Sequence, residues 1–344
     1  MTQPAPRRRG QTLKLLVGVG IAAVFVWLIV RSVDGAALAA ALAAARPGWI
    51  VAAIVLFACG YACRIWRWRL MLARDNPGID WATCAVPFMA SIAGNNVLPF
   101  RAGDALRVFA FTGWLKVGPS PVLATLLVER LLDLLTLLLA LGLALMLFDV
   151  AGDGRSLVGL GAWGLLALGV AVAGVLLVPQ IFEPFARLAA RLVRRLSNRI
   201  GLKLEAEVVH VFATLRHLAH GPRMAFLLMW SLVAWSFEGA VFYAAARALP
   251  SITEPLAGWL ALPVGTLATL IPSTPGYVGT FDFFVIKAAE AMGNPVAAAA
   301  AFAILVHLIL WLPATLVGGA CFAAWAVRRG PPARVADAER TPSP

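Results

Sequence analysis

Apolar positions along this chain form long unbroken runs separated by arginine-rich stretches. Runs at about 13–30, 49–66, 119–148, 157–178, 224–247 and 296–327 approach or exceed the roughly 20 apolar residues that cross a bilayer as a helix. Residues 35–46 predict a short, weakly amphipathic helix at the outer surface. Pro47-Gly48-Trp49 opens the second run, and Arg64-Ile65-Trp66-Arg67-Trp68-Arg69 closes it with the cationic and aromatic mix of a headgroup region. Arg7, Arg8, Arg9 and Lys14 precede the first run, which is too long for a signal peptide and reads as an uncleaved helix.

Two stretches are apolar but interrupted. Segment 81–116 carries Asn95, Asn96, Pro99, Arg101, Gly103, Asp104 and Arg107, and segment 256–293 carries Pro263, Pro272, Pro275, Gly276 and Gly279. Each suits a re-entrant hairpin of two short helices, because broken backbone at membrane depth must be buried in protein or line a wet cavity. Segment 180–222 differs again. Arg187, Arg191, Arg194, Arg195, Arg199, Lys203, Arg216 and Arg223 accompany Phe185, Leu188, Leu192, Leu196 and Ile200 at steps of three or four. This predicts a basic amphipathic helix on anionic lipid at the cytoplasmic leaflet, with a second piece from Glu205 to His220.

With the N-terminus inside, every basic loop falls on the cytoplasmic side once both interrupted segments are re-entrant. The expected architecture is an all-α polytopic membrane bundle of about six full spans and two hairpins. A basic cytoplasmic N-terminus (1–12) precedes a transmembrane domain (13–327), and a disordered cytoplasmic tail (328–344) follows. The domain divides into halves at about 13–148 and 157–327, each reading span, span, broken segment, span. The second half starts on the opposite side, so the halves form an inverted repeat. Pro99 with Pro275 and Gly103 with Gly279 are both 176 residues apart. Paired Gly/Pro-interrupted segments mark the binding site of a transporter.

Composition fits this picture. Of 344 residues 61% are hydrophobic and only 13% charged, against about a quarter charged in a soluble domain. The net charge of +12 would suggest nucleic acid in a soluble protein, but here anionic lipid accounts for it and no nucleic acid is expected. Cys59, Cys63, Cys84 and Cys321 show neither a Cys-x-x-Cys pair nor zinc spacing, and read as small buried apolar residues. There is no metal motif, and His210, His217 and His220 make no His-Glu-x-x-His. Without a Walker motif or nucleophile elbow, neither a cofactor nor a catalytic residue is expected, and the chain is read as a non-enzyme.

The candidate chemistry lies in ionisable residues within membrane runs, which are functional candidates by default. Glu129 and Asp133 are four apart on one helix face, while Arg130 points elsewhere and needs a partner on another helix. They are either a headgroup or proton site or a structural ion pair. Arg101, Asp104 and Arg107 follow the first break, and arginine's planar fork suits a lipid phosphate, although a basic interfacial edge would look the same. Asn95 and Asn96 bond either the broken backbone or a ligand. Asp282 starts the helix after the second break, where a cap role is one reading. Glu238 lies mid-span and needs a partner such as Arg64 or His307.

Three stretches together carry a resemblance: Asn95-Asn96-Val97-Leu98-Pro99-Phe100-Arg101-Ala102-Gly103-Asp104-Ala105-Leu106-Arg107, Glu129-Arg130-Leu131-Leu132-Asp133, and Ile271-Pro272-Ser273-Thr274-Pro275-Gly276-Tyr277-Val278-Gly279. In this order they resemble the lysylphosphatidylglycerol synthase transmembrane region, or flippase-like domain, over roughly 13–327. Asp104 and Asp282 stand where glutamate is more usual. The resemblance implies a flippase in the bacterial inner membrane that moves a phospholipid or lipid-linked headgroup between leaflets. In the multiple peptide resistance factors this region accompanies an aminoacyl-tRNA-dependent transferase domain. The sequence runs only about 17 residues past its last span, so lipid lysylation is not expected of it. Arg101, Arg107 and Arg130 would engage phosphate, and Glu129, Asp133 and Asp282 would pair with these arginines or with a cationic headgroup. Arg101→Ala or Glu129→Ala would then stop transport in a folded protein. The rivals are an accessory subunit of an envelope-lipid or glycan pathway and a membrane-embedded lipid-phosphate transferase. A homo-oligomer or an envelope-pathway partner is compatible with each.

Overall fold

The computed structural model describes residues 20–21, 23–148, 157–198, 201–202, 205, 222–271 and 274–329. The expected N-terminal segment, the second cytoplasmic piece, Pro272 and the C-terminal tail lie wholly or largely outside these. All regular structure among the described residues is helical: α1 (Ala23–Ser32), α2 (Gly35–Ala43), α3 (Pro47–Leu72), α4 (Trp81–Val97), α5 (Ala102–Phe109), α6 (Thr112–Leu115), α7 (Pro119–Leu147), α8 (Leu157–Leu177), α9 (Pro179–Leu196), α10 (Pro222–Ala248), α11 (Ala257–Ala268), α12 (Thr280–Ala291) and α13 (Val296–Arg329). Short 3-10 turns at Pro99–Arg101 and Pro275–Tyr277 interrupt the two broken segments. The protein is thus a polytopic helical membrane bundle. Among the described residues four helices (α3, α7, α10, α13) are long and apolar enough to cross a membrane, and α1 and α2, bent by 88°, pass the same test together.

Helix ends follow local chemistry. Pro47 and Pro119 open α3 and α7 at a position where the missing N–H costs nothing. Asp34 and Asp80 cap α2 and α4 with their side chains. Helix α3 overruns its expected end at 66 and continues to Leu72, carrying Arg64, Arg67 and Arg69 within it. Arg67 and Trp68 are fully buried whereas Trp66 is exposed, so only part of this stretch is open to the headgroup region that the sequence suggested. Carboxylates on neighbouring helices neutralise Arg64 and Arg67 and allow the helix to continue inside the bundle. Cys84 is buried as expected, whereas Cys59 is exposed on α3.

Both interrupted segments form hairpins. Helix α5 folds back along α4, and α12 along α11. At the first crossing, a Cβ on Gly103 would lie 1.9 Å from the Ser91 carbonyl oxygen and 2.6 Å from the Asn95 nitrogen, so only glycine permits this approach. At the second, Gly276 and Gly279 have φ of 73° and 85°, a region that favours glycine. The turns also match in shape: each is three residues long and ends in a left-handed non-glycine residue, Arg101 (φ 52°) and Tyr277 (φ 60°).

The longest packed pair is α3 against α10. Helix α4 packs on α13, and α11 packs on α7. Matching elements start at 47 and 222, 81 and 257, 99 and 275, and 119 and 296, separations of 175, 176, 176 and 177. Helix α9 presents Ile181, Phe185, Leu188 and Leu192 exposed along one side, at steps of three or four, with arginines beside them. That is the form of an interfacial helix.

Candidate functional site

Two buried apolar clusters divide the bundle. On α3, Ala53 and Phe57 belong to one, and Ile65, Trp68, Met71 and Leu72 to the other. A row of ion pairs lies around this junction, centred on α7. Glu129 receives Arg107 of α5 at 3.0 and 3.4 Å. Both side chains are essentially closed to solvent, with exposures of 4% and 0%. The Arg107 guanidinium also lies against Trp68 and Phe88, 4.9 and 4.8 Å from the ring centroids, so its charge is held by a carboxylate and by aromatic faces. One turn on, Asp133 Oδ1 accepts from both terminal nitrogens of Arg67 on α3 at 3.0 Å and from Trp235 Nε1 at 3.2 Å. Arg67 also donates to Ser231 on α10 at 2.6 Å.

Arg130 is the most open member, its side chain 36% exposed. It reaches Asp104 of α5 at 3.3 Å, so its partner lies on another helix, and it stays 3.7 Å from Glu129 and 3.9 Å from Asp133. Asn95 fixes Asp104 from both sides: its amide donates to Oδ1 at 2.9 Å, and its oxygen accepts the Asp104 N–H at 3.1 Å. Glu238 on α10 pairs with Arg64, the first of the two partners considered, and Arg64 also stacks on Trp235 with a centroid distance of 4.3 Å. The four arginines therefore face four carboxylates.

The two breaks meet beside this row. Arg101 Nε donates to the Tyr277 hydroxyl at 2.8 Å, which joins the ends of the two 3-10 turns. Among the described residues no carboxylate lies within 4.0 Å of Arg101. Asn96 donates to Thr315 of α13 at 2.9 Å. Asp282 caps α12 by accepting the Gly279 N–H at 2.9 Å and also lies 2.7 Å from His307. His307, Trp311 and Thr315 form one stripe of α13, and each touches a break.

The structure thus brings together Asn95, Asp104, Arg107, Glu129, Arg130 and Asp133 in one network. Glu238 joins it through Arg64, next to Trp235. Asn96, Arg101, Pro99, Pro275, Gly276 and Asp282 belong to the meeting of the breaks. Sequence reasoning offered Arg64 only as a possible partner of Glu238, and placed neither Arg67 in the network nor Tyr277 at the junction. Three-residue spacing marks Arg64 and Arg67 as one helix face, and Tyr277 is 176 residues from Arg101. An apolar cavity of about 490 Å³ opens between α7, α10 and α11 and ends at Thr136, Trp235 and Ser236, close to the Asp133 pair. Among the described residues no cluster of three histidine, cysteine, aspartate or glutamate side chains could hold a metal ion.

Two broken hairpins folded into a helical membrane bundle, with a compensated charge row between them, define a multi-pass membrane protein of broken-helix design. Residues 15–318 match the family described as the lysylphosphatidylglycerol synthase transmembrane region, and the chain belongs to that family. It is also similar to a protein named glycosyltransferase AglD from Haloferax volcanii, 28% identical over 337 residues that take in 89% of this chain and 53% of the relative. The chain thus spans about half the length of this curated relative.

Proposed function

We propose that this chain carries a phospholipid or a lipid-linked headgroup between the leaflets of a bacterial inner membrane, with both termini cytoplasmic. The observation that carries the reading is Arg101: a cation at the junction of the breaks that has no carboxylate within 4.0 Å among the described residues, beside a row in which every other arginine has one. A lipid phosphate supplies the missing negative charge, and an unpaired phosphate in hydrocarbon is very costly. Asn96 and Tyr277 offer further polar contacts at the same place. The apolar cavity ending at Trp235 supports a cargo that is polar at one end and apolar along the rest. The two halves act as an inverted repeat. This is supported by the near-constant spacing of matching elements, by the paired packing of α4 on α13 and α11 on α7, and by the contact between the equivalent residues Arg101 and Tyr277.

The test is leaflet exchange. Purified chain is reconstituted in liposomes containing labelled phosphatidylglycerol, and protection from a membrane-impermeant quencher is followed beside Arg101→Ala. Protein-dependent exchange that the variant loses is the expected result. Equal exchange in both removes Arg101 from the path. A second reading takes its support from the similarity to half of a protein named glycosyltransferase: a membrane part of an envelope-glycan pathway, accessory or catalytic. Stable co-purification with a synthase, or loss of one lipid-linked sugar in a knockout, favours it.

A further inference from the structure

His307 projects from α13 into the second break with both ring nitrogens engaged. Nδ1 lies 2.7 Å from Asp282 Oδ1, and Nε2 lies 3.0 Å from the Gly276 carbonyl oxygen. A backbone carbonyl only accepts, and so does an ionised carboxylate. A neutral imidazole offers one N–H and one lone pair, so it satisfies only one of these contacts and sets a lone pair against oxygen at the other. The arrangement is complete when the pair holds one more proton. That proton makes the ring an imidazolium between two acceptors, or it sits on Asp282 and is shared with Nδ1 while Nε2–H serves Gly276.

We propose that His307 and Asp282 form a proton-binding site within the second break, and that its proton couples the setting of this turn to lipid movement. The coupling half rests on the proposed function; the proton site does not. The other oxygen of Asp282 holds the Gly279 N–H, so the protonated pair ties down the turn at Gly276 and at Gly279. Loss of the proton frees the Gly276 carbonyl, and the next residue, Tyr277, is the one that holds Arg101. A cavity of about 290 Å³ lined by Val278, Asp282, Ile304, His307, Leu308 and Trp311 gives the pair access to the surface.

The surrounding groups are few among the described residues. Helix α12 presents Asp282 and the edge of Phe281, whose centroid is 5.1 Å from that of the ring, while Lys287 and Glu290 pair with each other further along the helix. Helix α4 offers the neutral Asn96, and α10 meets this part of α13 through Phe242 on Phe302. Glu238 of α10 is taken by Arg64, and Arg101 is reached only through Tyr277.

The first test reads the ring. Protein labelled with 15N-histidine is placed in nanodiscs and followed between about pH 5 and pH 8, where histidines ordinarily titrate. His307→Gln identifies the signal among four histidines by its loss. Two outcomes are expected: a His307 ring with protons on both nitrogens, or one with a proton on Nε2 whose Nδ1 accepts a second proton shared with Asp282. Both are lost in Asp282→Asn, which keeps a side-chain oxygen for the cap. A ring with a single proton throughout the range, whether on Nδ1 with Nε2 bare or on Nε2 with no proton between Nδ1 and Asp282, overturns the site. The second test is leaflet exchange over the same range. Wild-type exchange is expected to change with pH, and His307→Gln to lose that change. The same pH profile in both refutes the coupling and leaves lipid transport standing. A chain that moves no lipid sinks the transport reading and the coupling together, while the ring spectrum still decides the proton site.

Discussion

Glu129→Ala is the substitution whose expected consequence the structure changes most. From sequence, this acid is a transport residue whose loss leaves a folded protein. In the bundle its carboxylate is the partner of Arg107, and neither side chain has meaningful access to solvent. Alanine would leave the guanidinium between Trp68 and Phe88 with no anion. Arg130 cannot replace the lost charge, because it has the same sign. Breaking a buried pair on one side costs about 3–5 kcal/mol, whereas replacing both partners by apolar residues of similar volume is often neutral or stabilising. The expected series is a loss of about 3–5 kcal/mol for Glu129→Ala, a similar loss for Arg107→Ala, and recovery to within about 1 kcal/mol for Arg107→Met with Glu129→Leu. Unfolding in mixed micelles, followed by tryptophan fluorescence, reads all three, and Trp68 against Arg107 gives a local signal. A Glu129→Ala protein as stable as wild type would refute the reasoning, because Arg107 would then have water or another anion beside it. Transport by a stable double variant would make this pair purely structural, and its failure would return the pair to the lipid path.

The other expectations divide between the junction, the crossing and a helix cap. Arg101→Ala should lose leaflet exchange with little loss of stability, since it removes one hydrogen bond to Tyr277, worth about 0.5–1.5 kcal/mol, and breaks no ion pair. Tyr277→Phe should cost the same bond without the charge, and unfolding beside exchange in the two variants separates these effects. Gly103→Ala should destabilise by about 3 kcal/mol or more, because its methyl would meet backbone 1.9 Å away and α5 would have to leave α4; thermal unfolding in detergent reads it. Asp80 caps α4 from outside the bundle, and the Thr83 hydroxyl and amide that bond it hold its carboxyl below the usual aspartate range. Its contribution is therefore full above that range and lost as pH falls below it. Protection of the Thr83 amide from hydrogen exchange, taken relative to the intrinsic rate at each pH, should hold at mildly acidic pH and be lost in strong acid, and it should be low at all pH values in Asp80→Ala.

Much of the fold was readable because prolines and glycines act locally. Pro99, Gly103, Pro275 and Gly279 mark the breaks in sequence, and the turns form at those positions. The equal spacing between the two pairs extends to helix starts on either side of them. Legibility failed where a residue's meaning depends on distant chain. Arg64 to Arg69 reads as a headgroup collar, because arginine and tryptophan in alternation look the same against lipid or against a carboxylate row. Their partners Asp133 and Glu238 are 66 and 174 residues away, and no local pattern names them. Likewise Glu129 and Asp133 share a face as expected, but burial assigns Glu129 to Arg107 and leaves Arg130 as the open member. His307 reads in sequence only as a possible partner of Glu238, because Asp282 and the Gly276 carbonyl reach it from 25 and 31 residues away.

Charge balance now narrows what the site can accept. Arg64, Arg67, Arg107 and Arg130 are matched by Glu238, Asp133, Glu129 and Asp104, so the row is neutral as a whole and tolerates an apolar surround. A proton shared by His307 and Asp282 leaves that pair neutral as well. Arg101, which has no carboxylate partner among the described residues, then contributes one unmatched positive charge at the junction. Under the proposed function the complementary cargo is a singly charged phosphodiester, and a headgroup bearing further negative charge would enter a site with nothing left to neutralise it. Exchange should therefore fall from phosphatidylglycerol to a lipid with a phosphate monoester head. Arg101→Ala should remove this preference together with the rate. A wild-type chain that moves both lipids equally would mean that Arg130 opens away from Asp104 and supplies a second cation, so that the row is part of the binding site itself.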